Sequence, residues 1–136
     1  MPTPVLLEAE LIKFLRQFFP DVAVGGAPDS RRGASQKLIT VNASHAPLDN
    51  GNLRESIVDI HIYDKNTEVC LARAYKVIEW LDLGFASRTL PVSRFRLLTM
   101  PSIVRNTTSA QGASVVAFSF LTVGRTFEDG ERLNEY

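Results

Sequence analysis

Asp59 and His61 are the residues whose types and spacing are best suited to acid–base chemistry. They lie in a segment, 56–63, in which apolar and polar residues alternate, so both side chains are expected on one face of a β-strand. A carboxylate beside an imidazole could serve as a general base. The same pattern fits a polar strand face that meets solvent or another subunit, and we favour this second interpretation.

No other group of residues has the spacing that a catalytic or metal site requires. Cys70, the single cysteine, lies in the apolar stripe of a predicted helix, which indicates a core residue rather than a nucleophile. His45 is expected in a loop far along the chain from His61, so no zinc-ligand spacing is present. The glycines at positions 25 and 26 lack the spacing of a phosphate-binding loop. We therefore expect a protein without catalytic activity, cofactor or metal ion.

The charges of the chain balance, which argues against a broad basic surface. Lys+Arg and Asp+Glu number 15 each among 136 residues, so the formal net charge is +0. Proteins that bind nucleic acid along a wide face usually carry a clear positive excess. Small basic clusters remain at Arg31 and Arg32, and at Arg94 and Arg96, which share one face of a predicted strand. For these arginines we expect contacts with solvent or with another subunit.

The start of the chain and its hydropathy predict a soluble protein. The N-terminal segment lacks the basic region of a signal peptide, and no apolar run approaches the ~20 residues that span a bilayer. A lone cysteine is typical of a reducing compartment. We therefore expect a cytoplasmic protein that makes no contact with a membrane.

Two amphipathic helices are predicted from apolar residues at helical spacing. The first covers residues 4–19 and ends before Pro20. The second begins near Asn66 and runs to about Leu83, where Gly84 is expected to stop it. Five strands are predicted around the second helix, over residues 21–24, 38–41, 56–63, 95–103 and 114–123.

This order of helix, strands, helix and strands predicts an α+β fold. Both helices are expected on one face of a largely antiparallel or mixed β-sheet. A doubly wound parallel fold would need more helices that alternate with the strands. Residues 1–125 are expected to form a single domain, and 126–136 a flexible polar tail that becomes ordered only against a partner.

Three features indicate that the subunit is completed by other copies of itself. Two long polar loops, 26–36 and 42–54, are unusual in so small a domain. The last strand, 114–123, is apolar on both faces, and the chain has no second helical layer to cover it. The detached polar tail is the third feature. We therefore expect apolar β-surface that sister molecules cover.

The elements follow one another in a characteristic order. An amphipathic helix leads into Asp21-Val22-Ala23-Val24-Gly25, an arginine-bearing loop and Leu38-Ile39-Thr40-Val41. Ile57–Tyr63, a helix with Ala72 and Ala74 along it, and a closing pair of strands come after. Over about residues 5–125, this layout resembles that of the tail terminator (tail completion, or tail-to-head joining) proteins of long-tailed bacteriophages.

The resemblance implies a non-enzymatic subunit of a ring, expected to be hexameric. Such a ring ends polymerisation of the tail tube, caps its head-proximal end and offers the docking surface for the head connector. Genome DNA passes through the lumen without sequence-specific binding. The implied partners are copies of the chain, the major tail tube protein and a head completion or connector protein. The implied location is the virion, after assembly in the host cytoplasm.

The residues expected at the interface with other subunits or with the tube come from the loops, the polar strand face and the closing strands: Arg31, Arg32, Asp49, Asn50, Arg54, Asp59, His61, Arg94, Arg96, Phe118 and Phe120. Two alternatives stay open at this point. One is another head–tail connector component, such as a head completion or neck adaptor protein. The other is a small oligomeric α+β enzyme or ligand-binding module that uses Asp59 and His61.

Overall fold

The computed structural model describes residues 3–26, 37–45, 53–87, 94–105 and 114–125. Their elements are α1 (Thr3–Arg16), β1 (Ala23–Gly25), β2 (Leu38–His45), β3 (Leu53–Asp64), α2 (Thr67–Ala86), β4 (Arg94–Arg105) and β5 (Ser114–Arg125). The strands form one sheet in the order β1-β2-β3-β5-β4, in which β1 runs parallel to β2 and the other neighbours are antiparallel. The predicted α+β fold with a mixed sheet is confirmed.

Both helices pack on one face of the sheet, and the core lies between the two layers. The sheet supplies alternate residues of its central strands, which are Ile39, Val41, Val58, Ile60, Ile62, Val116, Phe118 and Phe120. The helices supply the apolar stripes predicted from their spacing, which are Leu7, Leu11, Phe14 and Leu15 from α1 and Cys70, Ala74, Val77 and Leu81 from α2. Burial of apolar surface contributes about 25 cal/mol per Å², so this layer is the main stabilising feature of the fold.

The first helix ends earlier than its apolar spacing predicts. It stops at Arg16 rather than near residue 19, and the backbone N–H of Phe18 donates to the carbonyl of Leu15 at 3.0 Å, as in a tightened last turn. The ring of Phe18 then stacks on Trp80 of α2, with ring centroids 4.0 Å apart. This contact between Phe18 and Trp80 stabilises the tight turn that follows Arg16. The helix therefore ends before it reaches Pro20.

The second helix begins as predicted and ends later. The Asn66 side chain caps it by accepting hydrogen bonds from two backbone N–H groups of the first turn, at 2.8 and 3.2 Å. Gly84 does not stop the helix, which continues to Ala86. The Phe85 ring stacks on Phe95 of β4 at 4.9 Å, and this contact holds the last turn in place. A glycine costs only about 1 kcal/mol within a helix, which such packing offsets.

The polar connection predicted over residues 42–54 is too long at both ends. β2 continues to His45, which is therefore not a loop residue, and β3 begins at Leu53. Antiparallel pairing with residues 56–59 extends β2, because each backbone group finds a partner there whatever the side chain is. Strand pairing thus overrides the low strand propensity of Asn42 and Ser44.

Candidate subunit interface

The sheet face that points away from the helices, called here the open face, contains the predicted pair Asp59 and His61. Strand register places them in two adjacent rows across the sheet, Asn42–Asp59–Ser119 and Thr40–His61–Ala117. Both side chains are half-buried, and the rows are made of small or polar residues. The prediction that Asp59 and His61 share a face opposite the apolar one is confirmed.

The surroundings of Asp59 and His61 fit a contact surface. The ring of His61 lies near that of Tyr63 on the same strand, with ring centroids 6.4 Å apart. A depression of about 510 Å³ among the described residues is lined by Arg16 and residues 19–24, and neither Asp59 nor His61 lines it. Within the described ranges, no three His, Cys, Asp or Glu side chains are grouped so that they could hold a metal ion.

The arginines predicted on β4 lie at open-face positions. Arg96 is paired with Leu121 and is exposed, and Arg94 is paired with Val123. Leu121 and Val123 alternate with the buried residues of β5, so they belong to the same face as Ser119. Register therefore brings Arg96 to the face that contains Asp59 and His61.

The other predicted polar residues are only partly covered by the described ranges. Arg54 was expected in a loop, whereas it is the second residue of β3 and is paired with Gly124. The correction follows from the longer strand pairing described above. The remaining four residues lie outside the described ranges, namely Arg31, Arg32, Asp49 and Asn50. The predicted tail, 126–136, also lies outside them.

Phe118 and Phe120 belong to the core of the chain, which corrects their assignment to the subunit interface. Their exposed fractions are 2% and 0%. The Phe120 ring lies 5.0 Å from Phe95 and 6.1 Å from Phe85, so it is enclosed by β4 and α2. The sequence pattern could not show this, because a strand that is apolar on both faces does not reveal which face the helices cover.

Half of the exposed large apolar side chains among the described residues lie instead on the edge strand β4. Leu98, Met100, Ile103 and Val104 are 41%, 57%, 48% and 60% exposed. These four residues are not among those that the sequence pattern predicts at an interface. The signal that could have found them is Pro101, because a proline inside a strand, without an N–H to donate, indicates an edge strand or a bulge.

The pairing of β4 with β5 is irregular, and a side chain explains one of the irregularities. The register shifts in three places, between Leu97 and Thr99, between Thr99 and Ser102, and between Ile103 and Arg105. At the first, the backbone N–H of Ser119 donates to the Thr99 hydroxyl at 2.9 Å, and the two hydroxyls lie 3.0 Å apart. The threonine side chain thus takes the place of a backbone acceptor and stabilises the bulge.

The opposite edge of the sheet is closed by side chains of α1. The guanidinium group of Arg16 donates twice to the carbonyl of Val24 in β1, from Nε at 3.2 Å and from Nη2 at 2.9 Å. β1 is paired with β2 only as far as Thr40. Farther along β2, the N–H of Ala43 donates to Oε2 of Glu8 at 2.7 Å. The Val24 carbonyl and the Ala43 N–H are therefore satisfied by side chains of α1.

A polar cluster joins the end of β3 to the start of α2. Arg73 Nη1 lies 2.9 Å from Oδ2 of Asp64, and both side chains are largely buried. Burial raises the pKa of Asp64, but the hydrogen bonds from Arg73 and the backbone of Asn66, with the Arg73 charge, outweigh it, so the pKa lies below its ordinary value. This cluster stabilises the junction of strand and helix.

Cys70 is a core residue, as predicted. It is 0% exposed, and its Sγ lies 3.5 Å from the carbonyl oxygen of Ser114. Burial, together with the charge of Asp64, raises the pKa of the Cys70 thiol above its ordinary value. The thiol is therefore protonated at neutral pH and is a poor nucleophile.

Comparison with family models and with curated proteins adds no relative to this description. Among the helices of the described ranges, none has the length and apolar character needed to cross a bilayer. A scan against models of protein families finds no match to the chain, and a search of curated proteins finds no significant similarity.

Proposed function

We propose that the chain is a structural subunit of the tail terminator type, which assembles into a ring at the head-proximal end of a phage tail. The observation that carries this proposal is the edge strand β4, with its exposed side chains Leu98, Met100, Ile103 and Val104. The order of elements, with two helices on one face of a mixed sheet, agrees with the layout on which the resemblance rests.

The β4 edge supports assembly because it combines apolar side chains with a sheet border. Several large apolar side chains exposed along one strand are typical of a site of interaction. Burial of about 400 Å² of such surface contributes on the order of 10 kcal/mol before the cost of association. In a structural subunit that acts only in an assembly, this free energy would stabilise the contacts between copies.

The open face supports contact with the tail tube or the lumen. Its central rows contain the uncharged Asn42 and Ser119 beside one acidic residue, Asp59, and one histidine, while Thr40 in the same rows is buried. These central rows offer hydrogen bonds, and the exposed Arg96 lies at the β4 border of the same face. Passing DNA would be neither bound nor strongly repelled at the central rows.

The decisive experiment is deletion of the gene in the phage that encodes it, followed by electron microscopy. We expect overlong or headless tails, which wild-type protein supplied in trans corrects and the β4 variant Met100→Asp/Val104→Asp does not. Lys13→Asp, a change to an exposed residue of α1, is the matched control and should restore normal particles. Normal joined particles without the protein would refute the proposal.

Binding and size measurements separate the alternatives. A hexamer of 15.1 kDa chains has a mass of about 91 kDa by light scattering, either alone or after release from tail tubes. Binding to the head connector without affinity for tube subunits would favour a head completion or neck adaptor protein. An activity that Asp59→Ala or His61→Ala abolishes, with assembly intact, would favour an enzyme.

A further inference from the structure

The exposed large apolar side chains of the described residues concentrate on two elements. Four are on β4, and three are on α2, where Val69, Tyr75 and Leu83 are 38%, 48% and 58% exposed. Ile57, on the open face, is the remaining one. Among the described elements, two surfaces of a second copy could therefore cover the exposed apolar residues of β4. One is its own β4, and the other is the outward face of its α2.

Pairing of β4 with a second β4 is disfavoured by its backbone and by its charge. Pro101 has no N–H to donate, and three register shifts make the edge irregular. Arg94, Arg96 and Arg105 are the charged residues of this strand, which has no acidic one. Antiparallel self-pairing would bring the Arg94 end of each copy beside the Arg105 end of the other, so like charges would oppose each other.

The outward face of α2 has the complementary character. Its exposed apolar residues Tyr75 and Leu83 flank the Lys76–Glu79 ion pair, and the small residues Ala72 and Ala86 lie beyond them on either side, where they leave room for the side chains of a partner. The exposed acidic residues on this helix are Glu68, Glu79 and Asp82. Lys76 lies 3.2 Å from Glu79, whereas Glu68 and Asp82 form no ion pair with another residue of the described ranges.

We propose that β4 of one copy packs through its side chains against the outward face of α2 of a second copy. The contact joins two different surfaces, so each copy can give one and receive one, as closure into a ring requires. The apolar residues Met100 and Leu83 lie at its centre, and Arg96 of one copy faces Asp82 of the other. This contact specifies how two copies of the proposed structural subunit meet. It rests on the proposed function only in the statement that the copies close into a ring.

Cross-linking between introduced cysteines tests this contact even when it is weak. Met100→Cys and Leu83→Cys are prepared separately and mixed at concentrations up to about 1 mM, where a contact with a Kd of that size is populated. A short bismaleimide then joins cysteines that approach each other. Cys70 is fully buried, so the background is low, and unmodified protein measures it. Met100→Cys mixed with Lys13→Cys is the matched control.

The cross-linking pattern distinguishes the two arrangements. We expect a covalent dimer in the mixture of Met100→Cys with Leu83→Cys, and only monomer with either variant alone or in the control mixture. Cross-linking of Met100→Cys to itself would show β4–β4 pairing and overturn the proposal. A mixture that gives no more dimer than the control would overturn it as well.

Charge reversal is an independent test of the orientation. Arg96→Glu in the Met100→Cys chain, or Asp82→Arg in the Leu83→Cys chain, is expected to lower the dimer yield roughly three- to tenfold. Combining the two reversed chains should restore it, because opposite charges again face each other. Absence of this restoration would contradict the proposed facing of Arg96 and Asp82.

The cross-linking result and the gene deletion test two separate claims, the contact and the tail terminator role. If the mixture cross-links while particles lacking the protein are normal, the contact is correct and the tail terminator role is wrong. If the deletion gives headless tails and the mixture does not cross-link, the role is correct and the contact is wrong.

Discussion

The two edge strands of the sheet differ in length, in the hydrogen bonding of their backbone groups and in the exposure of their side chains. β1 has three residues, and its neighbour α1 satisfies backbone groups along that border through Arg16 and Glu8. β4 has 12 residues and exposes Met100 and Val104, with exposed fractions of 57% and 60%. Protection at β4 consists of bulges and a proline, which hinder backbone pairing but leave apolar side chains in solvent.

Side chains of the subunit satisfy backbone groups at one border, and we propose that the other border is completed in an assembly. Bulges and proline guard β4 against indiscriminate pairing of its backbone. They do not remove the free energy that burial of its apolar side chains would release. An edge whose backbone resists pairing, but whose apolar side chains are exposed, suits a partner that contacts side chains. We propose that α2 of a second copy is this partner.

The largest effect is expected in the core beneath β4, at Phe120. Phe120→Ala removes a fully buried ring that contacts Phe85 and Phe95, and the cavity should lower the free energy of unfolding by about 3–5 kcal/mol. Urea denaturation at low protein concentration measures this loss. Phe120→Leu, which keeps much of the volume, should cost less than half as much. A loss below about 1 kcal/mol for the alanine variant would contradict the placement of Phe120 in the core.

A smaller effect is expected at the junction of β3 and α2. Asp64→Ala leaves Arg73 and the N–H of Asn66 without their acceptor, and should lower the free energy of unfolding by about 1–3 kcal/mol. Urea denaturation measures the loss, and Lys65→Ala, a change to an exposed neighbour, is the control.

Acid should remove the contribution of Asp64. Because folding lowers the pKa of this carboxyl group, its contribution is complete above its pKa in the unfolded chain, near 4, and is lost as the pH falls through the lower pKa of the folded chain. Unfolding curves of wild type and Asp64→Asn should therefore converge below about pH 4. A constant gap between them down to pH 2 would contradict this assignment.

At the β1 edge the expected effect is about 1 kcal/mol. Arg16→Ala removes both hydrogen bonds to the carbonyl of Val24, and the cost is modest because water can replace them at this exposed side chain. Hydrogen exchange should become faster in β1 and remain unchanged in β4. Lys13→Ala, on the same helix, is the control. Unchanged exchange in β1 would show that Arg16 does not protect this edge.

The smallest effect on folding is expected at the β4 edge itself. Met100→Ser and Val104→Ser should change the free energy of unfolding of the dilute chain by less than about 0.5 kcal/mol, because both side chains are already exposed. The same changes should weaken association of copies, measured by sedimentation equilibrium. A large loss of stability without loss of association would reverse our interpretation of the two edges.

Residues with regular spacing made most of the fold predictable. The alternation of Val58, Ile60 and Ile62 identified the covered face of β3, and the stripe through Cys70 and Val77 identified that of α2. These patterns record burial directly, because a residue that faces the core must be apolar at each repeat.

The remaining features depend on contacts that spacing does not record. β2 reaches His45 through backbone pairing with β3, and Phe85 extends α2 past Gly84 by stacking on β4. Phe118 and Phe120 were placed at an interface because β5 is apolar on both faces. The exposed edge was missed because the apolar residues of β4 do not alternate, and only Pro101 marked it as an edge.

The central claim, that β4 is covered by another copy while β1 is complete within the chain, is tested most directly by hydrogen exchange of the wild-type protein over a range of concentrations. We predict that amide protection in Arg94–Arg105, and in the outward residues of α2, rises with concentration, while protection in Ala23–Gly25 stays constant. Protection of β4 that is the same in dilute solution and at about 1 mM would contradict the account.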